Sequence, residues 1–145
     1  LQEAKQDFVF KAEYGSDIAK KHEKYLTKYF DCPLFITHWP KEIKAFYMKH
    51  LEDGTVAGAD LELPGIGEVF GMSQREDDYD TLLKEMKDRE MKIEDYSWYL
   101  KLRKYAGVES SGFGIGFERL LMYLTGIENI KDVIAYPRSV SNCEF

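Results

Sequence analysis

Between Ser16 and Phe30 the residues Ile18, His22, Tyr25, Leu26 and Tyr29 recur at the spacing of one helical face, with Ser16 or Asp17 placed to cap it. The spacing predicts an amphipathic helix over 16–30, preceded by a short strand at Phe8-Val9-Phe10. The period then changes. Pro33-Leu34-Phe35-Ile36-Thr37 and Lys44-Ala45-Phe46-Tyr47-Met48 are short, aromatic and β-branched or alternating, and Pro40 separates them, which predicts two strands. Glu52-Asp53-Gly54-Thr55 is a turn signal leading into Val56 to Leu63, and Pro64-Gly65 breaks the chain before Ile66 to Ser73. Residues 33 to 73 are thus expected to form an antiparallel sheet, of at least four strands.

A helical period returns with Tyr79, Leu82, Leu83 and Met86, and again with Tyr96, Tyr99, Leu100 and Arg103; both helices are expected to cover the sheet. Gly112-Phe113-Gly114-Ile115-Gly116 alternates like a strand with little side-chain bulk. Phe117 to Thr125 after it reads as a helix closed by Gly126. Strands, two helices, a strand and a helix, with no repeat or linker between them, predict an α+β fold occupying 1–145 as one unit.

The composition narrows the picture. With 145 residues, 44% hydrophobic and 14% aromatic, the chain has the size of one globular domain and can build a core. Its apolar runs fall well short of the roughly 20 residues of a membrane-spanning helix. The opening Leu1-Gln2-Glu3-Ala4-Lys5 has neither an initiator Met nor a leader pattern and reads as an internal start. Cys32 and Cys143 are far apart and support neither a disulfide framework nor a zinc pattern, so a reducing cytoplasm is the expected compartment. Twenty Lys and Arg against 26 Asp and Glu give a net charge of −6, which argues against a dominant phosphate-binding surface. If nucleic acid is a partner, most of the contact is expected elsewhere.

Two segments carry candidate chemistry. In Gly112 to Arg119, glycines at alternate positions expose the backbone on one face, where a flat ring or a phosphate could approach closely, and Arg119 falls in the first turn of the following helix. Its planar cation could stack on a base or meet a phosphate. The same pattern also fits a glycine-rich strand packed against a helix, with Arg119 an ordinary surface charge. The dinucleotide fingerprint is excluded, because the spacing is not G-x-G-x-x-G and no βαβ unit surrounds it. The second segment is Pro64 to Glu76, preceded by Asp60. At period two, Glu68 and Gln74 share one strand face and Arg75 the other, unless a bulge near Gly71 shifts the register. Asp60 and Glu68 on adjacent strands could hold Mg²⁺, a hard cation that prefers oxygen; the alternative is that Glu68 and Arg75 are only a solvated salt-bridge pair at a sheet edge. The histidines His22, His38 and His50 share no metal-ligand spacing, and the aromatic run Tyr96 to Tyr105 reads as structural.

Taken together, these stretches resemble the asparaginyl-tRNA synthetase family, in the subclass of class II aminoacyl-tRNA synthetases that also holds the aspartyl and lysyl enzymes. The resemblance runs from Tyr14 to Phe145 and is carried by Pro40 to Met48, Pro64 to Glu76, Gly112 to Met122 and Gly126 to Ile134. It implies the C-terminal part of a class II catalytic domain, with 112–122 as the third signature motif and ATP and Mg²⁺ in use. By the resemblance, Gly114 and Gly116 open space for adenine, with Phe117 and Glu118 beside them, and Arg119 stacks on the base and reaches the outer phosphate. Glu68 ligates Mg²⁺ with Asp60 supporting a further ion through water. Arg75 bonds the amino-acid side chain, and Gly71 lies beside that substrate. Arg119 and Glu68 are the implied catalytic residues, and Glu68, Arg75 and Arg119 are expected on one concave surface. Asparagine is the implied amino acid and tRNA the acceptor, in a cytoplasmic homodimeric enzyme with no membrane partner.

The chain also departs from the family pattern. Val108-Glu109-Ser110-Ser111 replaces a Val-Pro-His-Ser approach to the glycines, so a histidine that the family places near the substrate is missing. Ala135 to Asn142 differs from the usual Pro-Phe-Pro-Arg-Thr-Pro-Gly-Asn. The first two class II motifs and the anticodon-binding barrel do not occur in these residues, so this segment alone is not expected to aminoacylate. Two other readings stay open on sequence: a synthetase-like paralog that adenylates aspartate or another amino acid without tRNA, and a non-catalytic module that kept the fold.

Overall fold

A computed structural model describes the chain except for residues 3, 5–7, 10, 141, 142, 144 and 145. Among the described residues, strands β1 (Leu34–Pro40), β2 (Thr55–Leu63), β3 (Gly67–Gln74) and β4 (Ser111–Ile115) form one sheet in the order β1-β2-β3-β4, with every neighbouring pair antiparallel. The long helices are α1 (Lys20–Phe30), α2 (Tyr79–Asp88), α3 (Ser97–Tyr105) and α4 (Phe117–Thr125). This is the expected α+β architecture, with the glycine-rich segment joining the sheet and α4 starting at Phe117.

The turns have local causes. Gly54 and Gly65 adopt φ of +83° and +80°, where a β-carbon would be strained. Asp53 tightens the first turn by accepting from the Thr55 backbone N–H at 3.0 Å. Helix α1 begins four residues later than the periodicity suggests. Asp17 accepts from the N–H of Ile18, its neighbour, and caps nothing, while the His22 ring Nδ1 accepts from the Ala19 N–H at 3.2 Å. His22 is buried and meets the Phe8 ring edge-on at 4.6 Å, a packing role. Phe8 and Val9 are not in a strand, and Phe10 lies outside the described residues.

Two expectations fail. Residues 44–48 are not a strand. A 3₁₀ turn at Lys41–Ile43 precedes them, and the Arg89 guanidinium takes the carbonyls of Lys41 and Lys44 at 2.8 and 2.7 Å, acceptors that a ladder would need. The segment instead crosses the ends of β2 and β3, touching them through the single bridges Met48↔Arg75 and His50↔Val56. The 33–73 region therefore supplies three strands, and β4 is the fourth.

Nor do α2 and α3 cover the sheet. Leu82, Met86 and Leu100 form a buried cluster with Phe46, Tyr79, Leu83, Met91, Ile93, Tyr96 and Tyr99 around it, so these helices pack on each other and on the 44–48 segment. Fully burying each of the three contributes roughly 1.5–3 kcal/mol. The sheet offers such a stripe little to bury against: one face is floored by glycine and charge. The helices that lie on β2 and β3 are α1 and α4. The other face, with Phe35, Phe70, Phe113 and Ile115, leaves Phe113 68% exposed.

Candidate active site

The centre of the site is made of missing side chains. Gly71 on β3 pairs with Gly114 on β4, and Ser73 pairs with Gly112, so these residues share one sheet face. A β-carbon on Gly114 would meet nothing within 4 Å. Its neighbours along the chain are covered by cations. A β-carbon on Gly112 would lie 2.6 Å from Nη2 of Arg75, and one on Gly116 would lie 3.4 Å from Cδ of Arg119. Two guanidinium side chains thus flank one bare glycine.

A β-bulge brings the carboxylates to this face. Leu61 pairs with Phe70 and Glu62 with Glu68, which leaves Val69 as the extra residue in β3. The bulge falls at Val69 and not at Gly71, but its effect is the anticipated one. Glu68, which strict alternation would set on the side of Phe70, has its Oε1 3.3 Å from the point where a Gly71 β-carbon would stand, and Asp60 Oδ1 lies 3.4 Å from the same point. Asp60 is the Gly71 partner on β2. Glu68 and Arg75 therefore share a face, contrary to plain period two. Arg119 donates to the backbone carbonyl of Glu68, tying α4 to the bulged strand. Glu68 and Arg119 line a cleft of about 750 Å³ together with Glu23, Lys24, Asn129 and Ile130. Arg75 stands on the same face at the other end of β3, outside that cleft's lining. Phe117, exposed, and Glu118, half-buried, form the start of α4.

The field at the carboxylates is strongly negative. Burial, reinforced by the negative charge of Asp60, pushes the Glu68 carboxyl above the usual range, while Lys44 and Arg119 oppose the rise. Glu62 is only 2% exposed and is pushed up to about 7, first by burial and then by Glu23, Glu68 and Asp60. Its Oε2 is buried with no hydrogen-bond partner among the described residues.

At the opposite end Arg75 is held in place. Its guanidinium donates to the Ser73 hydroxyl and lies over the Tyr47 ring at 4.7 Å, and its backbone N–H donates to the Ser110 carbonyl at 2.8 Å. The Ser110 hydroxyl in turn accepts from Arg103 at 3.4 Å. Sequence reasoning missed Tyr47, Lys44, Glu62 and Glu23 as parts of the site. The first two sit in the segment read as a strand, whose aromatic alternation hid their purpose. Glu62 carried a usable signal, since it lies two residues from Asp60 on the same strand face.

Glu68 and Asp60 fit a magnesium ion in donor chemistry and placement. They are two carboxylates from adjacent strands converging above a glycine whose β-carbon would crowd the space between them. Among the described residues no group of three His, Cys, Asp or Glu side chains surrounds one point as a metal site. Two carboxylates leave the remaining positions of such an ion to water and substrate phosphates.

Comparison with known proteins identifies the family. Residues 2–140 match the family model described as tRNA synthetases class II (D, K and N). An asparagine–tRNA ligase of Bacillus cytotoxicus is 53% identical over 147 aligned positions, covering 100% of this chain and 32% of that protein. The structure of Entamoeba histolytica asparaginyl-tRNA synthetase in complex with asparaginyl-adenylate matches with a TM-score of 0.87 at 39% identity, covering 92% of this chain and 31% of that one. The asparaginyl-tRNA synthetase from Pyrococcus horikoshii matches with a TM-score of 0.86 at 42% identity, covering 92% of this chain and 33% of that one. The chain spans about a third of the length of the curated relatives it matches.

Proposed function

Because this chain belongs to the class II tRNA synthetases of the D, K and N group, we propose that it supplies the nucleotide and amino-acid site of an asparagine–tRNA ligase. The observation that carries the reading is the bare Gly114 between Arg75 and Arg119, with Asp60 and Glu68 beside it. A flat base or a sugar-phosphate can lie against exposed backbone there, as no larger residue would allow.

In this reading Arg119 stacks on adenine and compensates phosphate charge, while Gly116 keeps the backbone beneath it clear. Arg75 presents its planar fork to the side-chain oxygen of asparagine, steadied by Tyr47 and Ser73, and Gly71 lies beside that substrate. Glu68, assisted by Asp60, would hold Mg²⁺, which when bound offsets phosphate negative charge. With both substrates placed, a carboxylate oxygen of asparagine attacks the α-phosphorus in line, and the bond to pyrophosphate breaks with its electron pair leaving on pyrophosphate. In the second step a ribose hydroxyl of the terminal tRNA adenosine attacks the acyl carbon, loses its proton, and releases AMP. The residues described here position and neutralise charge; none of them forms a covalent intermediate in this scheme.

The placement of these residues at the C-terminal end of the catalytic domain, a homodimeric enzyme and a cytoplasmic location belong to the same reading and rest on family resemblance. Among the described residues no helix is long and apolar enough to cross a membrane. Aspartate adenylation without tRNA is less favoured, since the relatives cited above are named for asparagine. Retention of Glu68, Arg75 and Arg119 on one sheet face also speaks against a non-catalytic module. The test is amino-acid-dependent ATP–pyrophosphate exchange by the full polypeptide that carries these residues. Exchange with asparagine and not aspartate is the expected result; exchange with aspartate alone would move the assignment to the paralog, and none with any amino acid would defeat both.

A further inference from the structure

The two oxygens of Asp60 face different groups. Oδ1 points over Gly71 beside Glu68, and Oδ2 receives the Lys44 ammonium at 2.5 Å. The pair is largely shielded, with side-chain exposures of 19% for Lys44 and 10% for Asp60. Besides Asp60, two neighbours fix Lys44. Its Nζ lies 4.0 Å from the ring centroid of buried Trp39, its backbone carbonyl accepts from Arg89, and Arg89 is itself held by Glu85 at 2.6 Å. A lysine fixed in this way is a built part of the site and not a mobile surface charge.

The surroundings say what it does. The negative charges of Asp60 and Glu23 bear on both Glu62 and Glu68, and the cations Lys44 and Arg119 oppose them at Glu68. Two carboxylates facing one point attract a divalent ion, and a fixed positive charge on one of them repels it, since like charges a few ångströms apart in a shielded site interact strongly. We propose that Lys44 is a resident counter-cation that prevents Asp60 and Glu68 from retaining a divalent ion before nucleotide arrives, so that metal enters together with the triphosphate. The inference rests on the metal assignment of Asp60 and Glu68 made above. Nucleotide supplies the added negative charge that tips the balance, which would order the binding events without any moving part.

The experiment measures Mn²⁺ binding by electron paramagnetic resonance in the full polypeptide, with and without a non-hydrolysable ATP analogue. Wild type is expected to hold Mn²⁺ weakly alone and well with the analogue. Lys44→Met, similar in length and able to pack on Trp39, should bind Mn²⁺ at least about tenfold tighter without nucleotide. Lys44→Arg should behave like wild type, and Lys44→Met with Asp60→Asn should lose the gain. Should Lys44→Met fail to fold, as judged by circular dichroism, Lys44→Gln replaces it with the same expectation. If Lys44→Met gains nothing while Asp60→Asn weakens nucleotide-dependent binding, the counter-cation role is overturned and the metal assignment stands. A gain that survives Asp60→Asn also overturns the role, because the ion is then elsewhere. If Asp60→Asn and Glu68→Gln both leave nucleotide-dependent binding unchanged, the metal assignment fails and takes the inference with it.

Discussion

Arg75 and Arg119 approach one row of glycines from opposite ends, Arg75 over Gly112 and Arg119 over Gly116, and leave Gly114 open between them. Forty-four positions apart in sequence, they meet at β4 because β3 runs antiparallel to it and α4 leaves it at once. The gap between them sets what each substitution should do.

Gly114→Val tests the gap directly. Nothing lies within 4 Å of the added β-carbon and the backbone conformation is ordinary, so stability should move by no more than about 0.5 kcal/mol. Nucleotide binding should suffer, with the ATP KM in pyrophosphate exchange raised roughly tenfold or more if about 1.4 kcal/mol of contact is lost. An unchanged ATP KM with an unchanged melting temperature would move the nucleotide off this face.

Arg119→Ala and Glu68→Ala should each remove most exchange activity. A loss of about 3 kcal/mol in transition-state stabilisation corresponds to roughly a hundredfold in rate. Arg119→Ala also releases α4 from the Glu68 carbonyl, so the experiment pairs the rate with a thermal melt. A lower kcat at an unchanged melting temperature is the expected signature.

Arg75→Ala should act on the amino acid, raising the asparagine KM by about ten- to a hundredfold for a lost charge-assisted hydrogen bond of roughly 1.5–3 kcal/mol, with the ATP KM little altered. Arg75→Lys should not restore it, because one ammonium cannot reproduce the fork that lies over Tyr47. A raised ATP KM instead would place Arg75 with the nucleotide.

Glu62 predicts a pH dependence of stability. Its folded-state value of about 7 exceeds the usual 4.5, so the folded chain binds the extra proton. The contribution is fully present below 4.5 and is lost as pH rises through 7; over that window stability should fall by on the order of 3 kcal/mol. Glu62→Gln should flatten the slope, which denaturant melts at pH 5 and pH 8 would reveal. An equal slope in both proteins would show that Glu62 is ionised throughout.

Much of this was legible in the sequence where local chemistry decides the outcome. The glycine alternation at 112–116, the turns at Gly54 and Gly65 and the start of α4 depend on short-range rules and emerged as read. The 44–48 segment did not, because its fate turns on Arg89, more than forty residues away, taking its carbonyls. The helices α2 and α3 were seen as helices, but their docking partner, Phe46, lies in the same misread segment. Of the residues flagged by resemblance, Glu68 and Arg119 line one cleft and Arg75 stands outside it on the same sheet face; Glu62 was legible from its spacing to Asp60, while Lys44 and Glu23 depend on tertiary approach that no spacing displays.

The extra residue at Val69 makes the spacing between Asp60 and Glu68 a matter of parity. Removing that one residue would make Glu68 the immediate neighbour of Phe70 and keep it on the opposite face, still across from Glu62, whereas one further residue inserted between Glu68 and Phe70 would turn it toward the aromatic side of the sheet, without altering a single charged group. Chemically conservative replacements along 67–74 should therefore be tolerated far better than a one-residue insertion between Glu68 and Phe70, while deletion of Val69 itself should be the mildest change of length in this strand.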